Sequence, residues 1–370
     1  MIKSTVKEVL DDIKNEIIRI STQEGQREQE DKTGSYQKEE TTRSSSGKSK
    51  VVRYIDLFCG LGAFHAAFNR VNNDYGEEDV DKKYECVLAC DIDEGIRSIY
   101  EENYGIKPEG DINKICIEEV PDFDILCAGF PCQSFSIAGK KQGLQDDSRG
   151  SMFFKILDIV DAKCPPTIFL ENVKNLLTID NGKTFAIMKS ELEKRDYHVS
   201  YKVIDSRFYN SPQSRQRLYI ICNKDNSYKF QMVVNPIVPV SSIIEYNTND
   251  YLDYEEKYTL EKCEGKRTSS ILYKLINKET GKGGRQGERV YDIHSFGPTI
   301  CASSGGPGAK TGLYYLEEGK IRTLSIVETL RMFGFEDSFK YESLKNKNKM
   351  LYYLGNSIVV NVIEQLIRDL

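Results

Sequence analysis

The stretch DILCAGFPCQSFSIAGKKQGLQDDSRG, residues 124–150, decides how this chain is interpreted. It starts as an apolar run typical of a buried strand and becomes polar and glycine-bearing after Pro131-Cys132-Gln133. The chain has 10 cysteines, and those inside apolar runs need no explanation beyond their role as small buried side chains. Cys132 differs, because it stands where a strand should end, and parallel sheets bind their ligands at that edge.

The sequence on either side of this stretch alternates between strands and helices. The predicted strands cover 51–58, 84–91, 123–130, 167–172, 197–206 and 217–222. The predicted helices cover 63–70, a segment ending near 104, and 151–162. This alternation predicts an α/β fold of the Rossmann-like type, with a mostly parallel sheet and helices on both faces.

Composition divides the chain into four parts. Residues 1–50 combine an amphipathic helix over 1–20 with a polar linker that we expect to be disordered. The strand and helix alternation predicts a ligand-binding catalytic domain over 51–240, and the glycine clusters and short strands of 241–335 predict a smaller, irregular, β-rich domain. The apolar segment within 336–370 is expected to return to the first domain.

Overall composition limits the function classes. No apolar run is long enough to cross a membrane and no signal-peptide pattern is present, so we expect a cytoplasmic protein with reduced thiols. The cysteines form no Cys-x-x-Cys pair and the 3 histidines lack ligand spacing, so no metal site is expected. The net charge is −6, but 257–289 carries nine basic and four acidic residues, either a solvated surface or a phosphate-facing patch.

Three features favour an adenosine-type cofactor. Gly60 and Gly62 follow the first strand and allow close approach of a ligand to the backbone. Asp91 ends the second strand, where an acid can accept hydrogen bonds from ribose hydroxyls. Asp111 is placed to accept from an adenine amino group. Each feature alone is also explained by packing or by an ordinary turn.

Cys132 has no histidine in a neighbouring loop to act as its base. The next ligand-facing loop instead carries Glu171, an acid whose burial at a strand end is unfavourable unless it binds something. A protonated Glu171 would hydrogen-bond a ring nitrogen and make a heterocycle electrophilic, which suits addition of the cysteine to a pyrimidine. Gln213, Arg215 and Arg217 follow at a period of two, and face either a ligand or solvent.

Seven motifs resemble, in order, those of the cytosine-C5 DNA methyltransferases, in particular the short bacterial restriction-modification enzymes. They are DLFCGLGAF, GDI, AGFPCQSFS, DSRGSMFF, ENVKNL, QSRQRLYII and GNSIVVNV, and the resemblance covers about residues 52–366. The resemblance implies that Cys132 attacks C6 of a flipped-out cytosine while Glu171 holds N3 and the amino group. It further implies that Arg215 contacts O2, that Arg217 supports the site, and that S-adenosylmethionine donates the methyl group.

The resemblance also implies two sets of binding residues. The cofactor set is Phe58, Gly60, Gly62, Asp91, Ile92, Asp111, Ile112, Pro131, Asn356 and Ile358. The DNA set is Gln133, Ser136, Lys140, Arg149, Gln286 and Arg289, with the residues after Cys132 forming a mobile loop that has Gly139, Gly143 and Gly150 as pivots. The implied partners are double-stranded DNA and a restriction endonuclease of the same specificity, and a monomer is expected.

Two positions depart from the family pattern. Ala63 replaces a frequent glycine, and Ile92 stands where some relatives have an aromatic residue against the adenine. Two alternatives stay open, a tRNA cytosine-5 methyltransferase and a catalytically silent DNA-binding relative. A nicotinamide-dependent oxidoreductase would leave Cys132 and Glu171 unexplained.

Overall fold

The computed structural model of the chain describes residues 50–74, 82–131, 152–246, 250–263, 270–316 and 319–370. A six-stranded sheet lies at its centre. Its strands are β1 (Lys50–Leu57), β2 (Lys82–Cys90), β3 (Ile125–Ala128), β4 (Thr167–Val173), β5 (His198–Asp205) and β6 (Gln216–Asn223). The helix and linker predicted over 1–49 lie outside the described residues.

The strand order of this sheet is β2-β1-β3-β4-β6-β5. The pairs β1–β2, β1–β3 and β3–β4 are parallel, whereas β6 runs antiparallel to both β4 and β5. The expected α/β class with a mostly parallel sheet is therefore confirmed. The run predicted as a strand over 123–130 pairs only over Ile125–Ala128.

Helices cover both faces of the sheet. They are α1 (Ala63–Asp74), α2 (Glu94–Tyr104), α3 (Met152–Lys163), α4 (Lys183–Glu193), α5 (Ile326–Phe333), α6 (Lys347–Gly355) and α7 (Val360–Arg368). One face packs against α1 and α7 through residues such as Phe68 and Ile363, and the other against α3 and α4 through residues such as Ile156 and Phe185. Burial on both faces explains why the central strands are apolar along their whole length.

A second sheet of five strands is formed by residues that follow β6 in the chain. Its strands are β7 (Tyr258–Lys262), β8 (Ile271–Asn277), β9 (Arg289–Asp292), β10 (Leu313–Tyr315) and β11 (Ile321–Arg322), in the order β11-β10-β9-β8-β7. A small core of Leu275, Val290, Leu313 and Ile321 holds it together. The boundaries predicted for the four parts of the chain stay a prediction.

A buried ion pair joins this second sheet to α5. The Arg322 guanidinium donates to both carboxylate oxygens of Glu328 at 2.7 and 2.6 Å, and the two residues are 3% and 0% exposed. Ser325 caps α5 by accepting from the Glu328 amide at 3.1 Å, and Glu328 accepts in turn from the Ser325 amide at 2.7 Å. This capping box and ion pair fix the chain where it leaves the second sheet.

The last two helices form an apolar stretch at the end of the chain. Residues Lys347–Arg368 are long and apolar enough to cross a membrane by length and composition alone, but 72% of the apolar window is buried inside the protein. On α7, Glu364 pairs with Arg70 of α1 at 3.2 Å, and the carbonyl of Leu366 accepts from the Tyr228 hydroxyl at 3.1 Å. The stretch is therefore part of the core that covers one face of the central sheet.

Candidate active site

The turn after β1 lies at the carboxyl edge of the parallel strands. Phe58, Gly60 and Gly62 have positive φ angles of 53°, 53° and 76°. A Cβ atom at Gly62 would lie 2.2 Å from the ring of Tyr104, so only glycine fits there. The Tyr104 hydroxyl lies 3.1 Å from the carbonyl oxygens of both Leu61 and Gly62, and so supports the turn from α2.

Asp91 follows β2 and faces this turn. Its carboxylate accepts from the amide of Gly60 at 3.0 Å and from the amide of Asp93 at 3.0 Å. Burial raises the pKa of Asp91, although the two amide hydrogen bonds oppose that rise. Ile92, the next residue, is 74% exposed. The loop therefore offers a fixed carboxylate beside an open aliphatic side chain.

The loop that carries Asp111 runs alongside Asp91. The Asp91 amide donates to the carbonyl of Glu109 at 3.0 Å, which places the two loops together. Asp111 accepts from the amide and the side chain of Asn113 at 3.0 and 2.9 Å, and these bonds lower its pKa. Ile112 is buried at 7% exposure and holds the loop against the core.

The segment after α6 reaches the same edge of the sheet. Asn356 caps α6 and is exposed, and the Ile358 side chain lies 3.0 Å from the position of a Cβ atom at Gly129. Pro131, the last described residue before the gap, is exposed. Two carboxylates that can accept hydrogen bonds, a glycine turn and the exposed side chain of Ile92 thus lie at one edge of the sheet. This arrangement suits an adenosine-type cofactor.

Glu171 is buried at the end of β4. It is 7% exposed, and its Oε1 atom lies 3.2 Å from Nε of Arg217. Within the described part of the chain Oε1 has no hydrogen-bond partner. Burial raises the pKa of Glu171, and the charges of Arg217 and Arg215 reduce that rise. The site therefore contains a buried acid whose pKa is set by burial and by two neighbouring arginine charges.

Arg215 has a different environment from Arg217. Its guanidinium donates to the carbonyl oxygens of Ile300, Gly355 and Ser357 at 2.9, 2.9 and 2.7 Å, and the residue is 2% exposed. Burial lowers its pKa to about 9. The structure thus places Nε of Arg217 3.2 Å from Glu171 and engages Arg215 with three carbonyl groups. The roles expected for the two arginines from the sequence stay predictions.

Gln213, the third member of this predicted set, has no exposed surface at all. Its Oε1 atom accepts from the Ile300 amide at 3.0 Å, while Arg215 binds the Ile300 carbonyl at 2.9 Å. Gln213 and Arg215 therefore project toward the same face, as their period predicts. What both side chains bind there is the backbone of Ile300.

Asn172 belongs to the ENVKNL motif, but no role was predicted for it from the sequence. Its side chain donates to the carbonyl of Phe130 at 2.9 Å and accepts from the amide of Val173 at 2.8 Å. It therefore ties the end of β4 to the segment that leads through Pro131 to Cys132. The signal was present in the sequence, because an asparagine within an apolar strand needs hydrogen-bond partners.

The two predicted DNA contacts in the second sheet region line an open groove of about 430 Å³. The side-chain amide of Gln286 donates to the carbonyl of Thr299 at 2.8 Å, and Nε of Arg289 donates to the carbonyl of Gly284 at 2.9 Å. Ser214, which precedes Arg215, lies in the same groove. The groove thus connects the second sheet to the strand that carries Arg217.

Five predicted residues lie outside the described residues. They are Cys132, Gln133, Ser136, Lys140 and Arg149, together with the pivots Gly139, Gly143 and Gly150. Their roles stay predictions. Among the residues that the structure describes, no group of three His, Cys, Asp or Glu side chains is arranged to hold a metal ion.

A parallel sheet with a glycine turn, paired acids at its edge and a buried glutamate beside an arginine defines a methyltransferase-like site. The chain belongs to the C-5 cytosine-specific DNA methylase family, whose model matches residues 52–370. It is accordingly an enzyme of the DNA cytosine-5-methyltransferase class, which confirms the resemblance noted in the sequence.

Two curated relatives illustrate the similarity. The chain is 38% identical over 325 residues to the Type II methyltransferase M.HhaI of Haemophilus parahaemolyticus, covering 85% of this chain and 93% of that protein. It is 36% identical over 314 residues to the Type II methyltransferase M.NgoBI of Neisseria gonorrhoeae, covering 84% and 90%. The fold also matches the S. pombe Dnmt2 methyltransferase with a TM-score of 0.64 at 19% identity, over 85% of this chain and 97% of that chain.

Proposed function

We propose that this chain methylates C5 of a flipped-out cytosine in a short, specific site of duplex DNA. The observation that carries the proposal is the geometry of Glu171. This buried acid has a raised pKa, and its Oε1 atom lies 3.2 Å from Nε of Arg217 without forming a hydrogen bond. A base that entered here would supply hydrogen-bond partners for the Glu171 carboxyl group.

Glu171 would act on the cytosine ring as an acid. In its protonated form it donates to N3 while its other oxygen accepts from the exocyclic amine. The donated proton withdraws electrons from the ring and makes C6 electrophilic. Arg217 would contact the O2 atom, because its guanidinium lies beside Glu171 at the open edge, whereas that of Arg215 already binds three carbonyl groups.

Cys132 would be the nucleophile. Its thiolate forms a bond to C6, and the electron pair of the C5–C6 double bond becomes available at C5 for the new bond to the methyl carbon. When the C5 proton is then lost to solvent, the electron pair of the broken C5–H bond re-forms the C5–C6 double bond. The electron pair of the Cys132–C6 bond leaves with sulfur, which restores the thiolate. The hydrogen bond from Asn172 to Phe130 supports this assignment, since it fixes the start of the segment that carries Cys132.

S-adenosylmethionine would supply the methyl group as a sulfonium and leave as S-adenosylhomocysteine. Asp91 would accept from the ribose hydroxyls and Asp111 from the adenine amine. Phe58, Ile92, Ile112, Pro131 and Ile358 would form the apolar walls, and Gly60, Gly62 and Asn356 would border the methionine part. The fixed carboxylate of Asp91, held by two amides at 3.0 Å, supports this assignment.

Duplex DNA would bind along the groove between the two sheets. Gln286 and Arg289 would lie near the flipped base, and Gln133, Ser136, Lys140 and Arg149 would contact DNA from the segment after Cys132. The base must leave the stack because its C6 atom is otherwise shielded by its neighbours. Residues 241–335 would form the target-recognition domain, which reads base edges in the major groove.

The biological setting is proposed from the relatives, several of which are named Type II methyltransferases. We propose a restriction-modification system with an endonuclease that cuts the same site. The enzyme would act as a monomer in the cytoplasm, where its substrate DNA is found.

Bisulfite sequencing tests the proposal directly. The chain is expressed in cells that lack cytosine methylation, and plasmid DNA is sequenced after conversion. Conversion-resistant cytosines within one short sequence are expected, and Cys132→Ala should abolish them while the protein stays folded. Complete conversion by soluble wild-type protein would exclude the DNA activity, and resistant cytosines in tRNA instead would favour the RNA enzyme.

A further inference from the structure

The loop over residues 91–93 is held in place from two different helices. From α2, Nη1 of Arg97 donates to the carbonyl oxygens of Asp91 and Ile92 at 3.0 and 2.9 Å. From α6, the Tyr353 hydroxyl donates to Oδ1 of Asp93 at 2.6 Å. The second contact joins residues 260 positions apart in the chain, so it is a property of the tertiary fold.

Tyr353 is built into this position. The residue is 3% exposed, and a Cβ atom at Gly95 would lie 2.7 Å from its hydroxyl oxygen, so the glycine leaves room for the contact. Nζ of Lys349, one turn earlier on α6, lies 3.5 Å from the same Asp93 oxygen. Burial raises the pKa of Tyr353 to about 12, which keeps its hydroxyl a proton donor at neutral pH.

Asp93 uses one oxygen for several partners. Its Oδ1 atom also accepts from the amides of Gly95 and Ile96 at 2.8 and 3.3 Å and so caps α2. Partial burial alone would raise the pKa of Asp93, but the hydrogen bonds led by that of Tyr353 outweigh it and lower the pKa. Asp93 is therefore a charged acceptor, and its bond with Tyr353 is charge-assisted.

A short series of contacts connects Tyr353 to the proposed ribose acceptor. The amide of Asp93 donates to Oδ1 of Asp91 at 3.0 Å, and Oδ2 of Asp91 accepts from Gly60 at 3.0 Å. The position of Asp93 therefore fixes the rotamer of Asp91. The same helix α6 ends at Gly355 and is capped by Asn356, another predicted cofactor residue. One helix thus carries the contact to Asp93 and leads directly into a second predicted cofactor residue.

We infer that Tyr353, assisted by Lys349, is a positioning residue for cofactor binding: it holds the 91–93 loop so that the Asp91 carboxylate faces the ribose. This inference rests on the proposed function, because it assumes that Asp91 binds S-adenosylmethionine. It adds to that function a residue on α6 that touches no reacting atom. Its effect should appear in cofactor affinity and not in the chemical step.

The neighbouring Tyr352 provides a matched control. It lies on the same helix and is 48% exposed, and no hydrogen bond of its hydroxyl occurs among the residues that the structure describes. Tyr352→Phe and Tyr353→Phe remove the same atom from adjacent positions. Tyr352→Phe therefore measures any general effect of losing a tyrosine hydroxyl from α6, and that effect can be subtracted from the result for Tyr353→Phe.

The experiment measures binding of S-adenosylhomocysteine by calorimetry, together with steady-state methyl transfer to DNA at varied S-adenosylmethionine. Tyr353→Phe should weaken binding about five- to tenfold and raise KM to match, since a charge-assisted hydrogen bond at a partly exposed site is lost. The kcat at saturating cofactor should stay within about twofold. Tyr352→Phe should match the wild type in both measurements.

Two results would overturn the inference. One is unchanged affinity in Tyr353→Phe, and the other is a fall in kcat and melting temperature with KM unaltered, which would mean that the contact only stabilises the fold. Failure of the wild type to bind S-adenosylhomocysteine at all is distinguishable from both, because it would remove the proposed cofactor and with it the basis of this inference.

Discussion

Arg215 and Arg217 should fail in different ways when each is changed to lysine. Both substitutions keep a positive charge, and the two positions are two residues apart. Arg215 donates to the carbonyls of Ile300, Gly355 and Ser357 from a site that is 2% exposed. Arg217 makes one ion pair and retains a side-chain exposure of 16%. We expect Arg215→Lys to lose stability and Arg217→Lys to lose rate.

The size of the stability loss follows from the number of bonds. A hydrogen bond from a charged donor contributes about 1.5–3 kcal/mol, and a compact ammonium cannot span carbonyls that the planar guanidinium reaches with two nitrogens. If lysine keeps one of the three bonds, Arg215→Lys costs about 3–6 kcal/mol. Burial lowers the pKa of Arg215 to about 9, and a lysine there starts from a lower ordinary pKa, so the charge itself becomes less stable.

For Arg217→Lys we expect a small change in stability and a large change in rate. The ammonium keeps its attraction to Glu171, so the free energy of unfolding should change by less than about 1 kcal/mol. The fixed donors toward the O2 atom are lost, however, and removal of one such donor lowers kcat by about 100-fold or more. In the wild type the guanidinium is oriented by its 3.2 Å pair with Glu171, and a lysine cannot reproduce that orientation.

The assay combines urea unfolding, followed by circular dichroism, with single-turnover methyl transfer at a temperature where every variant is folded. Arg53→Lys serves as the control, because its ion pair with Glu85 spans 3.8 Å between side chains that are 56% and 57% exposed, and it should matter little to either measurement. The reasoning is refuted if Arg215→Lys unfolds at the wild-type urea midpoint, or if Arg217→Lys loses stability but keeps its rate.

Four further variants test other parts of the molecule. Glu171→Gln removes the acidic proton but keeps the shape of the side chain. The kcat should therefore fall at least about 100-fold while the affinity for S-adenosylhomocysteine stays unchanged. An unchanged kcat would contradict the role of Glu171 as an acid. Gly62→Ala places a Cβ atom 2.2 Å from the Tyr104 ring, whereas at Gly60 the nearest atom is 3.9 Å away, so calorimetry should show a greater loss of cofactor affinity for Gly62→Ala than for Gly60→Ala. Burial lowers the pKa of His65 from 6.5 to about 4; the neutral ring therefore contributes stability that is present above pH 6.5 and is lost as pH falls toward 4. That loss is about 2 kcal/mol at pH 5. The difference between the urea midpoints at pH 7 and pH 5 should therefore be smaller in His65→Phe than in the wild type. An equal difference in both proteins would show that His65 does not cause the loss of stability.

The sequence was sufficient to predict the positions of the central strands and the edge of the sheet at which the predicted cofactor residues lie. Buried parallel strands are apolar along their whole length, and the polar residues that end them, such as Asp91 and Glu171, meet at one edge by geometry alone. The turn at Gly62 could be predicted as well, because a glycine directly after a strand indicates a backbone position with a positive φ angle, and Gly62 has one.

The direction of β6 could not be predicted from its apolar pattern, since an apolar run has no direction. A signal did exist in the connection, because β5 ends at Asp205 and β6 begins at Gln216. A parallel crossover usually needs a dozen or more residues and a helix, so this shorter link indicates an antiparallel pair.

The hydrogen-bond partners of Arg215 could not be predicted for a different reason. Its three carbonyl partners lie 85, 140 and 142 positions away in the chain. A period of two shows which face a side chain occupies but not whether a ligand or a distant backbone segment fills that face. Only the packing of α6 and α7 onto the sheet decides this.

The antiparallel direction of β6 is what completes the proposed site. In a wholly parallel sheet the ligand edge receives only residues that follow strands, whereas β6 brings its first residues to that edge. Its register pairs Tyr219 with Glu171 and Arg217 with Val173, so Arg217 and Glu171 are diagonal neighbours on one face. A slip of one residue would turn Arg217 to the other face. Glu171 would then lose one of the two arginine charges that oppose the rise of its pKa. The pairing therefore reduces the cost of burying the acid at the place where the proposed mechanism needs its proton.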